Sequence, residues 1–94
     1  RRGRNFPAPP YVSIERDESN HGWILQIAGN DRLGLLFAIA VVLSRNGVSL
    51  ATAKIATLGE RVEDVFLING RVLENEEALI RIENELIDAL NNAK

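Results

Sequence analysis

Residues 30–46 read Asn-Asp-Arg-Leu-Gly-Leu-Leu-Phe-Ala-Ile-Ala-Val-Val-Leu-Ser-Arg-Asn, NDRLGLLFAIAVVLSRN. A polar junction holding a glycine opens onto the longest apolar run of the chain, Leu35 to Leu43. That run falls well short of the roughly 18 residues a membrane span needs, so it reads as a buried helix. The spacing predicts a helix over 34–46, with Leu36, Ile39, Ala40 and Leu43 as the i, i+3, i+4, i+7 stripe. Arg45-Asn46-Gly47 should close it, with a basic last turn and a glycine suited to the left-handed position after the cap.

Outward from this helix the period changes to two. Gly22 to Gly29 alternates, with Trp23, Leu25 and Ile27 opposing Ile24, Gln26 and Ala28. Tyr11 to Arg16 alternates as well, and the polar turn 17–20 joins the two as a hairpin. Downstream, Val48 to Leu58 is strand-like, Gly59-Glu60 turns, Val62 to Asn69 is a further strand, and Asn69-Gly70 breaks it. A last helix runs from about Glu76 to Asn91. Its stripe is Leu79, Ile82, Leu86, Ile87 and Leu90, Asn75 is its expected cap, and Glu76 and Glu77 favour its positive end. The order ββαββα predicts an α+β, ferredoxin-like fold, a four-stranded antiparallel sheet with both helices on one face. Residues 1–10, RRGRNFPAPP, read as a linker in which Phe6 could dock on the surface, and 11–94 as the domain.

Composition narrows the function. Ninety-four residues support one modest core. A net charge of -2, with three of the eleven basic residues at Arg1, Arg2 and Arg4, argues against general polyanion binding. The absence of cysteine removes thiolate nucleophiles and zinc–thiolate sites, and it fits a reducing cytosol. The chain has no methionine and no apolar segment behind its basic start, so we expect a piece of a longer polypeptide without a secretory signal.

The junction at residues 30–34 has two readings. Backbone N–H groups and a positive dipole end meet there and could bind a carboxylate or phosphate, with Gly34 allowing close approach. Alternatively, Asn30 or Asp31 caps the helix and Gly34 relieves a tight turn. His21, the one histidine, has no partner residues that suggest a metal or a general base. Trp23 reads as a core or interface residue, and Glu60, Glu63 and Asp64 read as solvated charges. Lys54, on a strand amid apolar neighbours, could pair with a ligand carboxylate or a second subunit.

The run NDRLGLLFAIAVVLSRNGVSLATAKIATLGERVEDVFLING resembles an ACT domain, a small-molecule-sensing module, with the match covering residues 22–70. The family opens close to D-R-P-G-L-L. Asp31, Arg32, Gly34, Leu35 and Leu36 stand in those places, while Leu33 replaces the common proline. Ala53 to Phe66, AKIATLGERVEDVF, resembles more specifically the C-terminal ACT repeat of bacterial PII uridylyltransferase/uridylyl-removing enzymes. The usual ACT order is βαββαβ; here the strand at 11–16 would replace the missing last strand in a permuted sheet.

The resemblance implies a regulatory domain of a cytoplasmic, nitrogen-regulating bifunctional enzyme, sensing an amino acid, with glutamine as the expected ligand. It implies a ligand site at Asn30, Asp31, Arg32, Leu33, Gly34, Leu35 and Leu36, completed by Thr52, Ala53 and Lys54, with residues 52–56 as the strand segment lent to the site between neighbouring ACT domains or homodimer partners. The PII protein would be a partner through the parent, which would use Mg for uridylyl transfer. The fragment itself has no Gly-Ser with spaced aspartates, no His-Asp pair, no paired carboxylates and no phosphate loop, so no catalytic or metal residue and no cofactor is assigned to it. A ligand-free dimerisation module is the alternative, suited by the small residues from Ala51 to Ala56. A nucleic-acid module is disfavoured, because the 62–69 strand carries only Phe66 among aromatics and is acidic at Glu63-Asp64.

Overall fold

The computed structural model describes residues 10–19, 21–30, 34–59 and 61–91; residues 1–9 of the expected linker 1–10, Phe6 included, lie outside them. The elements are β1 (Tyr11–Asp17), β2 (Gly22–Asn30), α1 (Leu35–Arg45), β3 (Ser49–Lys54), β4 (Thr57–Leu58), β5 (Arg61–Asn69), a 3-10 turn (Arg71–Glu74) and α2 (Glu76–Asn91). The long strands lie in the antiparallel order β1-β2-β5-β3, and the two-residue β4 pairs with β5. The ββαββα ferredoxin-like order expected from the sequence is the one found, with the third strand split and a 3-10 turn added after Gly70.

Alternation sets the two faces of the sheet. Leu25, Ile27, Val62, Phe66 and Ile68 point into the core with Ile14 of β1, and the two helices close over them with Ile39, Val42, Leu43, Ile82 and Leu86. Hairpin β1–β2 keeps strict register from Tyr11↔Ala28 to Asp17↔Gly22. In its turn the Asp17 carboxylate accepts from the Ser19 N–H at 3.2 Å and the Ser19 hydroxyl at 2.9 Å. His21 follows with φ 59°, exposed. Trp23 packs against the core margin and carries the Arg16 guanidinium 4.5 Å above its ring; Arg16 also pairs with Glu74 at 2.6 Å.

Three expectations need correction, the last of them the solvated reading of Asp64. First, the buried face of α1 is Leu35, Ile39, Val42 and Leu43, not the stripe through Leu36 and Ala40, which are exposed. Both sets fit a helical period, and an all-apolar helix does not reveal its own orientation. Second, the strand foreseen over 48–58 is interrupted. A bulge between Leu50 and Thr52 shifts the pairing with β5, and residues 55–56 leave the ladder. Ala56 is tied instead to β5: its carbonyl accepts from Glu63 N–H at 2.8 Å, and its N–H donates to the Asp64 carboxylate at 3.3 Å. Asp64, read as solvated, is therefore a buried residue, 2% exposed, on the helix-facing side.

The ends of the helices match their sequences. After α1, Val48 N–H donates to Leu43 C=O and Gly47 N–H to Ser44 C=O, with Gly47 at φ 75°. Asn75 caps α2, its Oδ1 accepting from Ala78 N–H at 2.9 Å. Between the helices, Glu85 accepts from Asn46 Nδ2 at 2.8 Å and lies beside Arg45 and Arg81. The Asn46 hydrogen bond, with help from the two guanidinium groups, holds the Glu85 carboxyl below the usual glutamate range, against some desolvation. A folded pKa below the unfolded one adds stability that is complete above the unfolded value and is lost as pH falls through the folded one. Glu85→Gln should therefore flatten the loss of Tm on acidification below about pH 4.3. At neutral pH the change should stay under about 1 kcal/mol, as for screened ion pairs. An unchanged acid limb in thermal melts across pH 3–7 would remove Glu85 from the acid response.

Candidate functional site

The chain enters the junction from the end of β2, where Asn30 pairs with Arg61, and leaves it at Gly34. Asp31, Arg32 and Leu33 lie outside the described residues. Gly34 occupies the N-cap position of α1 with φ 82° and ψ 0°, a left-handed conformation that glycine adopts without strain. It supplies no side-chain cap, and the first turn of α1 holds no acidic residue, in contrast to α2 with Asn75, Glu76 and Glu77. The start of α1 thus presents its N–H groups without a neutralising carboxylate in its own first turn.

The neighbouring expected residues divide between faces. Leu35 is a core residue, 3% exposed, leaving its backbone as its contribution at the surface. Leu36 is 49% exposed. Ala53 pairs with the buried Phe66 and so faces the helices, whereas Thr52 and Lys54 pair with Leu67 and Val65 and face the opposite side. All three β3 residues are exposed, because β3 is a sheet edge that α1 does not cover.

What the structure brings together is Leu36 with Ala53. They line a half-open apolar groove of about 480 Å³ between α1 and β3, with Ala40, Leu50 and Ile55 on its walls and Phe66 in its floor. Phe37 and Val41 of α1 are exposed as well. Ala40 and Leu50 were not among the expected site residues, whereas Ile55 falls within the 52–56 segment expected to contribute. Ile55 stands 45% exposed where the chain leaves the ladder next to Ala56. That position depends on the Asp64 contact, which no local pattern announces.

The two sheet edges differ. On β1 the outward Ile14 N–H donates to the Glu83 carboxylate of α2 at 3.0 Å, so a side chain occupies that rung. Among the described residues no strand lies beyond β3. No group of three or more His, Asp or Glu residues suited to a metal occurs among the described residues. No helix there is long and apolar enough to cross a membrane.

These features define a two-layer, ferredoxin-like α+β domain with an apolar groove beside a helix start whose N-cap is a glycine, and with no strand beyond β3 among the described residues. The chain is 52% identical, over 97% of its length, to a segment of the bifunctional uridylyltransferase/uridylyl-removing enzyme of Aromatoleum aromaticum. It is 50% identical over 96% to that of Ralstonia nicotianae, and 46% identical over 96% to that of Bordetella pertussis. The chain is therefore homologous to one segment of these bifunctional enzymes, and it spans only 10–11% of their length. No protein-family model matches the chain.

Proposed function

We propose that this domain is the amino-acid-sensing ACT domain of a PII uridylyltransferase/uridylyl-removing enzyme, at the C-terminal end of its parent, and that its ligand is glutamine. The observation that carries this reading is the near full-length similarity, about half the residues identical, to one segment of the bifunctional enzymes. The geometry supports it. The glutamine α-carboxylate would meet the N–H groups at the Gly34 end of α1, and the methylene chain would lie toward Leu36 and Ala53. The chemistry itself, uridylyl transfer with Mg and uridylyl removal acting on the PII protein in the cytoplasm, would belong to other segments of the parent.

Binding would act by favouring one arrangement of the parent's domains. The effect is limited to the difference in glutamine affinity between the two arrangements. Isothermal calorimetry with glutamine, glutamate and alanine tests the reading. Saturable heat should appear with glutamine and be at least about tenfold weaker with the others, a difference of 1.4 kcal/mol. Absence of selective heat in a protein carrying both ACT repeats would sink it.

A second reading, a ligand-free pairing module, has its own observation: the β3 edge, beyond which no strand lies among the described residues, together with exposed Leu36, Phe37 and Val41 on α1. In that case the neighbouring ACT domain, or a second copy, would cover the groove without any amino acid.

A further inference from the structure

The face of the sheet away from the helices has a hollow of its own. Tyr11 pairs with Ala28 and Ala28 with Glu63, so one row across β1, β2 and β5 reads Tyr11–Ala28–Glu63. Gln26, paired with Val65, stands in the next row, and Arg61 lies two residues before Glu63 on the same face. A methyl group therefore sits at the centre of four long polar side chains, over an apolar floor shared with Val65. The result is a half-open hollow of about 480 Å³, within the range of small-molecule sites.

Its charges have an uncommon arrangement. The Arg61 Nε lies 3.9 Å from the Glu63 carboxylate, beyond the roughly 2.7–2.9 Å of a charge-assisted hydrogen bond. The two ions thus form a surface dipole with hydrogen-bonding capacity left on both. The Arg61 side chain is the more enclosed of the two, 30% exposed against 57% for Glu63. A simple anion drawn to Arg61 would be repelled by Glu63, and a simple cation the reverse. A molecule carrying both charges a few ångströms apart, lying antiparallel to the Arg61–Glu63 dipole, satisfies both. The guanidinium fork suits its carboxylate, and the Gln26 amide and Tyr11 hydroxyl offer polar partners to its remainder.

We propose that this hollow is a second small-molecule site, on the face opposite the α1–β3 groove, for an α-amino acid zwitterion, with Arg61 holding the carboxylate and Glu63 the ammonium group. The site rests on its own residues and does not depend on the function proposed above.

Amide-resolved NMR of the 94-residue chain tests it, with glutamine, propionate and ethylamine as probes. Glutamine should give saturable shifts at Ala28, Arg61, Glu63 and Val65, and each singly charged probe should bind at least tenfold more weakly. Ala28→Leu, which fills the hollow from the solvent side, should abolish saturation there. Arg61→Gln should weaken it about tenfold and serves if the leucine variant misfolds. Gly34→Val should leave these shifts unchanged. The proposal is overturned if the shifts never saturate, if propionate or ethylamine binds as well as glutamine, if Ala28→Leu or Arg61→Gln binds like the parent chain, or if the shifts fall only around Gly34–Ala40 and 50–55. That last pattern would leave the loop reading standing, whereas shifts around Ala28 alone would overturn the loop reading and keep this one.

Discussion

Ile39→Ala is expected to lower the free energy of unfolding by about 2–5 kcal/mol, the range for truncating a large aliphatic side chain in a packed core. Leu36→Ala should change it by no more than about 0.5 kcal/mol, as for surface substitutions. The two residues lie three positions apart in one apolar helix, but Ile39 is 2% exposed and Leu36 49%. A domain of this size has roughly 5–14 kcal/mol to lose, so the Ile39 variant should give up a large fraction of its stability. Urea titrations followed by circular dichroism measure both values. Equal losses would mean that α1 is rotated from the orientation described, with Leu36 turned inward.

Gly34→Val is the second substitution with a large expected effect. A Cβ at Gly34 would meet no heavy atom within 4 Å, so sterics with the rest of the fold are not the obstacle. The obstacle is φ 82°, where an L residue costs about 1–2 kcal/mol and a β-branched one is worse placed still. The backbone should relax away from that conformation and shift the first N–H groups of α1 with it. Under the sensing reading, glutamine affinity then falls at least tenfold while the sedimentation coefficient is unchanged. Gly34→Asn, which tolerates the left-handed region, should retain most of it. A valine variant that binds glutamine normally would take the ligand away from this loop. A variant that changes its association state instead would favour the pairing module.

Much of the fold was legible because local signals agreed with one another. The alternation in β1 and β2, the Gly47 stop after α1 and the Asn75 cap of α2 each stand where the sequence put them. Two things were not legible. The orientation of α1 is decided by what packs on it, and a helix with apolar residues all round fits more than one face. The corner after β3 is decided by Asp64, eight residues away, whose carboxylate takes the Ala56 N–H. A carboxylate between Glu63 and Val65 looks solvated until the register assigns Glu63 to one face and Asp64 to the other. The left-handed backbone of Gly34 was legible from the glycine itself. Leu50 and Ile55 entered the groove only when the bulge and the corner had been placed.

The Glu83 contact on β1 has a consequence for assembly. A sheet with two free edges can be extended at both ends, which is the geometry of a fibre. Here a carboxylate from the domain's own helix takes one rung of the β1 edge and acts as a stopper there, so among the described residues β3 is the more open direction for strand addition. Two copies meeting through that direction would use up the free edge of each, and the joined sheet would end in two stoppers. If the domain pairs through β3, as the second reading has it, the product is expected to be a closed pair with a twofold axis and not an open-ended chain.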